Sequence, residues 1–104
     1  MGDFIDIPGA SGTPYRFRRT TPAELPTMAG NLLVATGSTP RLKVILCGAA
    51  RSLARAAPTV GEALEANRSA RLFIRLNVAR AVREAEHADI VAGVGPQTEV
   101  PDLD

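Results

Sequence analysis

The chain has 104 residues, 45% of them hydrophobic, 22% charged and only 4% aromatic, with a formal net charge of +1. That size and balance describe one globular domain with a modest core of Leu, Val, Ile and Ala, and exclude wholesale disorder. A single cysteine, Cys47, excludes an internal disulfide framework, and no apolar run reaches the roughly 18 residues of a membrane span.

Residues 1–13 carry Gly2, Pro8, Gly9 and Gly12 with little periodicity and read as a loosely ordered arm. Met1-Gly2-Asp3 is unlike a signal peptide, and Asp6 stands where a myristoylation signal needs Ser or Thr, so the expectation is a cytoplasmic protein with no membrane partner. Tyr15-Arg16-Phe17-Arg18-Arg19 alternates aromatic with basic, the period of a strand with one covered face. Thr21-Pro22-Ala23-Glu24 has the letters of a capping box, and Pro26 limits the helix it starts to about one turn.

Two nearly continuous apolar strands follow, Asn31 to Thr36 and Leu42 to Cys47, joined by Gly37-Ser38-Thr39-Pro40. Gly48 ends the second, and Ala49 to Ala57 has helical composition up to Pro58. Thr59-Val60-Gly61-Glu62 repeats the capping pattern and opens a helix to about Asn67. Arg71 to Leu76 alternates as a further strand, with Leu72, Ile74 and Leu76 on one face. Asn77 then caps a long helix from Val78 to about Ala92, with an apolar stripe of Val78, Ala81, Val82, Ala85, Ala88 and Ala92. Residues 97–104 read as an acidic tail, leaving 14–96 as the domain. A tight hairpin and helices after strands make the class α+β: a small, mostly antiparallel sheet of three to four strands with helices packed on it.

Catalytic constellations are scarce. There is one histidine, His87, no cluster at metal-ligand spacing and no Gly-rich phosphate loop, so neither a metal nor a cofactor is expected. Cys47 and His87 could make a nucleophile and base. A cysteine ending an apolar strand is more often an inert hydrophobe, however, and His87 falls opposite the apolar stripe, as an exposed residue would. Asp89 lies within the stripe; a buried carboxylate there calls for a partner, and an arginine from a strand or from the helix after Gly48 is the expected one. Arg71, Phe73 and Arg75 share the other face of their strand, a stacking platform if exposed and core with snorkelling arginines if a helix covers it.

Charge is unevenly spread. Asp3, Asp6, Glu99, Asp102 and Asp104 lie near the ends, while between Arg41 and Arg83 the only acids are Glu62 and Glu65. An arginine-rich middle suits anionic oxygens, and Arg51, Arg55, Arg71 and Arg75 are the candidate contacts, with nucleic acid the partner class. A protein-interaction module, or a homodimer pairing strand edges, is the alternative, and a hydrolase or nuclease using Cys47 or a non-standard metal site is the third reading.

The order strand Gly30–Thr36, loop, strand Leu42–Cys47, Gly48, then a helix with Leu53 and Arg55 resembles a GIY-YIG nuclease domain. Gly30-Asn31-Leu32 stands where the first motif would be and Leu46-Cys47-Gly48 where the second would be. Ile90-Val91 and Pro96 match the later Leu-Ile and proline, which sets His87 at the position of the metal-binding glutamate. Both tyrosines and the glutamate are replaced, by Leu32, Leu46 and His87, and Arg55 is one residue short of the family's arginine position. The resemblance therefore implies a degenerate, non-catalytic relative with no catalytic residues.

Overall fold

The computed structural model describes residues 3–37 and 41–103, with side chains to Val100. Strands β1 (Phe4–Pro8), β2 (Pro14–Thr20), β3 (Gly30–Thr36) and β4 (Lys43–Ala50) are followed by a 3-10 segment, Leu53–Ala56, that runs directly into α1 (Ala57–Ala66). Then come β5 (Arg71–Leu76), α2 (Arg80–Val94) and β6 (Thr98–Leu103). The class is α+β, with one six-stranded sheet in the order β1-β2-β5-β3-β4-β6. Every neighbouring pair is antiparallel except β4 and β6, so the sheet is mixed and larger than the three to four strands expected.

The two additional strands come from segments with weak patterns. Phe4–Pro8 pairs along its whole length with Pro14–Thr20, and Thr98–Leu103 adds to β4 at the far edge. A strand at a sheet edge needs one pairing neighbour and only a partly apolar face, which is why neither segment announces itself by alternation.

β3 is apolar on both sides because both faces of the sheet are covered. Leu32, Val34, Leu72 and Ile74 meet Leu53, Ala56 and Val60 of the 3-10 segment and α1. Leu33, Phe17, Cys47 and Phe73 face the other way, where Ile90 of α2 closes the second cluster. A bulge opposite Val34 and Ala35 inserts Ile45 as an extra residue, so that Ile45 and Leu46 both join the first cluster.

Several local expectations change: α1 begins at Ala57, ahead of the Thr59 start expected, and Ala79 rather than Asn77 stands at the N-cap of α2. Ala49 and Ala50 continue β4, paired with Asn31 and Gly30, so the following helix begins later and as 3-10 turns. That segment is held by Leu53 and Ala54 N–H groups bonding the carbonyls of Met28 and Pro26. Pro58 sits inside the first turn of α1 rather than ending a helix, a position where its missing N–H costs nothing. Gly95, with φ +57°, caps α2 through its N–H to Val91 O, so the helix runs past Gly93. Gly93 and Gly9 serve another purpose: a Cβ on Gly93 would lie 2.7 Å from Ala10 N, and one on Gly9 would lie 2.1 Å from an Asp89 oxygen. The β1–β2 loop and α2 touch only because both positions lack side chains.

The largest departure is the phase of α2. Its buried residues are Arg83, His87 and Ile90, while Ala81, Val82, Ala85, Ala88 and Ala92 are exposed. The expected inner stripe is therefore the outer one. All six of its residues have one- or three-carbon side chains, four of them alanine, so burying it would release little apolar area. The opposite face finds specific polar partners on the sheet, and those partners settle the rotation. Ile90→Ala is expected to lower stability by about 2–4 kcal/mol in urea unfolding, because it empties a filled site under α2; an unchanged midpoint would place Ile90 outside the core.

Candidate functional site

The four arginines singled out in the sequence do not share one face. Arg51 follows the last residue of β4 and lies in the bend before the 3-10 segment, not one helical turn from Arg55, and it is engaged within the chain. Arg55 is exposed at that same end of the sheet. Arg75 is taken up in structure: its Nε donates to Glu86 Oε1 at 3.0 Å, and its guanidinium lies 5.5 Å above the Tyr15 ring. Arg71 is exposed at the start of β5, at the opposite end, paired with Ala35.

Sorting every cation by its partner isolates one region. Arg16 pairs with Asp6 and Arg80 with Glu84, while Arg83, 4% exposed, donates to the carbonyls of Asn77 and Val78. Seven cations, Arg18, Arg19, Arg41, Lys43, Arg55, Arg68 and Arg71, by contrast, make no ion pair among the described residues. Five of these, all but Arg18 and Arg55, belong to one end of the sheet. Thr20 pairs with Leu72, so Arg71 follows next along β5, and Lys43 pairs with Thr36 one residue beyond the Ala35 that faces Arg71. Arg19 and Arg71 project on the same face as Phe73, and together with Thr20 and Thr21 they line a recess of about 170 Å³. Sequence reasoning found Arg71 but missed Arg19, because the strand register that sets them together is long-range.

Phe73 is 6% exposed beneath α2, so β5 offers no open stacking platform. One row of side chains crosses the sheet on this face in the order Glu99, Cys47, Leu33, Phe73, Arg19. His87 lies over the β6 side of that row. It is 5% exposed, a correction to the exposed position expected, and its Nε2 is 3.1 Å from Glu99 Oε1. Cys47 is 1% exposed, and burial, then the Glu99 charge, push its thiol up to about 12. A thiol so protonated is a poor nucleophile at neutral pH. Among the described residues no group of three His, Cys, Asp or Glu is placed to hold a metal ion.

Asp89 does not pair with an arginine, and it sits half-buried at the rim rather than in the core. It accepts hydrogen bonds from Ser11 N at 2.9 Å, Ser11 Oγ at 2.6 Å and Tyr15 Oη at 2.7 Å. The Ser11 hydroxyl first, then the Tyr15 hydroxyl, hold its carboxyl below the usual carboxylate range. The same bond, followed by burial, raises the Tyr15 phenol. These partners escaped the sequence reading because Ser11 and Tyr15 belong to the segment read as an arm and its border with the domain.

The positions carrying the GIY-YIG resemblance are likewise dispersed. Leu32 and Leu46 are buried under α1, whereas His87 is buried under α2 on the opposite face. No family model matches the chain, and no curated protein or solved structure matches it.

Two spectroscopic measurements check this geometry. Tyr15 is the only tyrosine and there is no tryptophan, so its phenolate absorbance is clean. The native midpoint is expected above the ordinary value of about 10, returning towards it in Asp89→Asn; a native midpoint at the ordinary value would refute the Tyr15–Asp89 bond. Because the Asp89 pKa is depressed on folding, its contribution is present above the unfolded carboxylate range and is lost as pH falls through the folded value. The Tyr15 contribution is lost at the other extreme, as pH rises through its raised value. Cys47 should resist a thiol reagent in the native protein and react at once in denaturant, and rapid native labelling would contradict its burial.

Proposed function

We propose that this domain is a non-catalytic binding module for phosphate polymers, with single-stranded nucleic acid the ligand class. The observation that carries the reading is the distribution of its cations: of the seven that make no ion pair among the described residues, Arg19, Arg41, Lys43, Arg68 and Arg71 lie together at one end of the sheet. Arg19 and Arg71 anchor the site. Both stand on paired strands, so little order has to be created when a ligand binds, and two guanidinium forks beside one recess suit successive phosphates. Arg41, Lys43 and Arg68 extend the field along the same end and accelerate encounter with a polyanion.

The resemblance to GIY-YIG nuclease domains supports the same ligand class, since those domains act on phosphodiesters. It supports no hydrolysis here. Leu32 and Leu46 carry no group able to move a proton, and His87 is occupied with Glu99 on the other side of the sheet. Fold likeness without these groups does not bring the chemistry with it.

Fluorescence anisotropy with a short labelled single strand at low ionic strength tests the reading. Binding is expected to be weak, indifferent to sequence and steeply salt-dependent. The Arg19→Gln, Arg71→Gln double variant should bind about tenfold more weakly. It should also flatten the log–log salt slope by about 1.5, for two phosphates released at about 0.7–0.9 each. Arg55→Gln, at the other end of the sheet, should change neither. No binding at low salt, or a double variant that binds like the parent, would remove the proposal, and metal-dependent cleavage of the strand would remove its non-catalytic part.

A further inference from the structure

β1 and β2 leave one face of the sheet open. Along them the residues alternate: Ile7, Tyr15 and Phe17 are buried on the α2 side, while Phe4, Asp6, Arg16 and Arg18 are exposed on the other. That other side is the one α1 covers further across the sheet, because Arg18 pairs with Ile74 and Thr20 with Leu72, both in the cluster beneath α1. On the open face stands Phe4, 55% exposed, whereas the three remaining aromatic residues of the chain are buried. Two arginines flank it. The Arg16 guanidinium lies 5.7 Å from the centre of its ring, and Arg18 is its direct partner across the strands. Arg16 also pairs with Asp6, but Arg18 makes no ion pair among the described residues. An aromatic ring held out by a paired strand, with an uncompensated cation beside it, suits a flat π-system carried on a polyanion.

From these features we infer that Phe4 is a base-stacking platform. The open face of β1 and β2 binds unpaired nucleobases of the single strand whose phosphates meet Arg19 and Arg71, and the inference rests on that reading of the arginine end. Position supports the connection. Thr20 follows Arg18 on the same face, and with Leu72 and Leu64 it lines the recess that Arg19 and Arg71 border. The open face therefore leads into the recess. From Phe4 to Arg71 the path crosses two strand spacings, about 10 Å, and runs three residues along β5, about 10 Å. A short oligonucleotide spans that distance. Charge decides the occupant: Arg18 and the uncompensated end favour a polyanion, and one phenylalanine ring buries too little area to hold an uncharged apolar partner. Stacking needs only a π-face, so it brings no sequence preference. The paired strands and the Arg16 contact position the ring before binding, which lowers the ordering cost.

Phe4→Leu and Phe4→Trp separate the ring from its apolar bulk. Anisotropy of a labelled oligothymidine strand measures bases and phosphates together, and unlabelled inorganic polyphosphate, added as a competitor, measures the phosphate contacts alone. Phe4→Leu should lower the ratio of strand to polyphosphate affinity about tenfold, and Phe4→Trp should restore it. Both variants should keep the circular dichroism of the parent, since the side chain is largely outside the core. Phe4→Trp also introduces the only tryptophan of the chain. Its emission should be quenched by the strand and left unchanged by polyphosphate. A folded Phe4→Leu protein with the parent's ratio, or a tryptophan whose emission ignores bound strand, would overturn the inference and leave the phosphate reading standing. Strand binding that falls in Phe4→Leu but not in the Arg19→Gln, Arg71→Gln variant would support the platform and remove the arginine anchors. A parent protein that binds no strand at low salt would overturn both.

Discussion

The rest of the structure depends on the polar seam between the sheet and α2. Asn31 Nδ2 donates to Arg83 O, Asn77 Nδ2 donates to Asn31 Oδ1 and Glu86 Oε1, and Arg75 Nε donates to the same Glu86 oxygen. Arg83 closes the turn into the helix by donating to the carbonyls of Asn77 and Val78. No buried side-chain nitrogen or oxygen is left unpartnered among the described residues. A network satisfied throughout gives α2 one favourable rotation, whereas a helix seated on alanine alone could roll with little change in buried area.

That rotation decides what the protein offers to its surroundings. It carries Glu86 to Arg75 and His87 to Glu99, which engages two acids and buries the one histidine. It places Asp89 against Ser11 and Tyr15, tying the β1–β2 loop to the helix and extending the sheet by an otherwise marginal edge strand. The apolar side of α2 is left outside as a consequence. So one seam accounts for the spent arginine at position 75, the silent Cys47–His87 pair and the exposed alanine strip together.

The cations are sorted by the same geometry. Acids from β1 and α2 reach the arginines at positions 16, 75 and 80, while among the described residues none pairs with Arg19 or Arg71. Net charge alone says nothing of this, because +1 is the sum of a neutralised region and an unneutralised one. A field that attracts anions arises from the uncompensated end.

Local sequence determined the inner strands. Arg71–Leu76 has the expected bounds, and the apolar runs around Leu32–Ala35 and Val44–Cys47 pair antiparallel at the sheet centre, because continuous apolar residues can be satisfied only where both faces are covered. The α+β class followed from those strands, the hairpin that joins two of them, and the helical segments that come after strands. Tertiary structure alone decided the rest. The strands at Phe4–Pro8 and Thr98–Leu103 exist because a neighbouring edge offers hydrogen bonds, which no periodicity records. The phase of α2 went against its own hydrophobic pattern, since alanine weighs little and the decisive partners, Asn31, Arg75, Asn77 and Glu99, are strands or turns away in the chain. Arg71 was legible as a candidate from local charge, but its companion Arg19 is 52 positions away and was set beside it only by the pairing of β2 with β5. Short-range patterns fix what a segment can be; which of its faces meets the core, and which charges are left over, depends on contacts that only the folded chain creates.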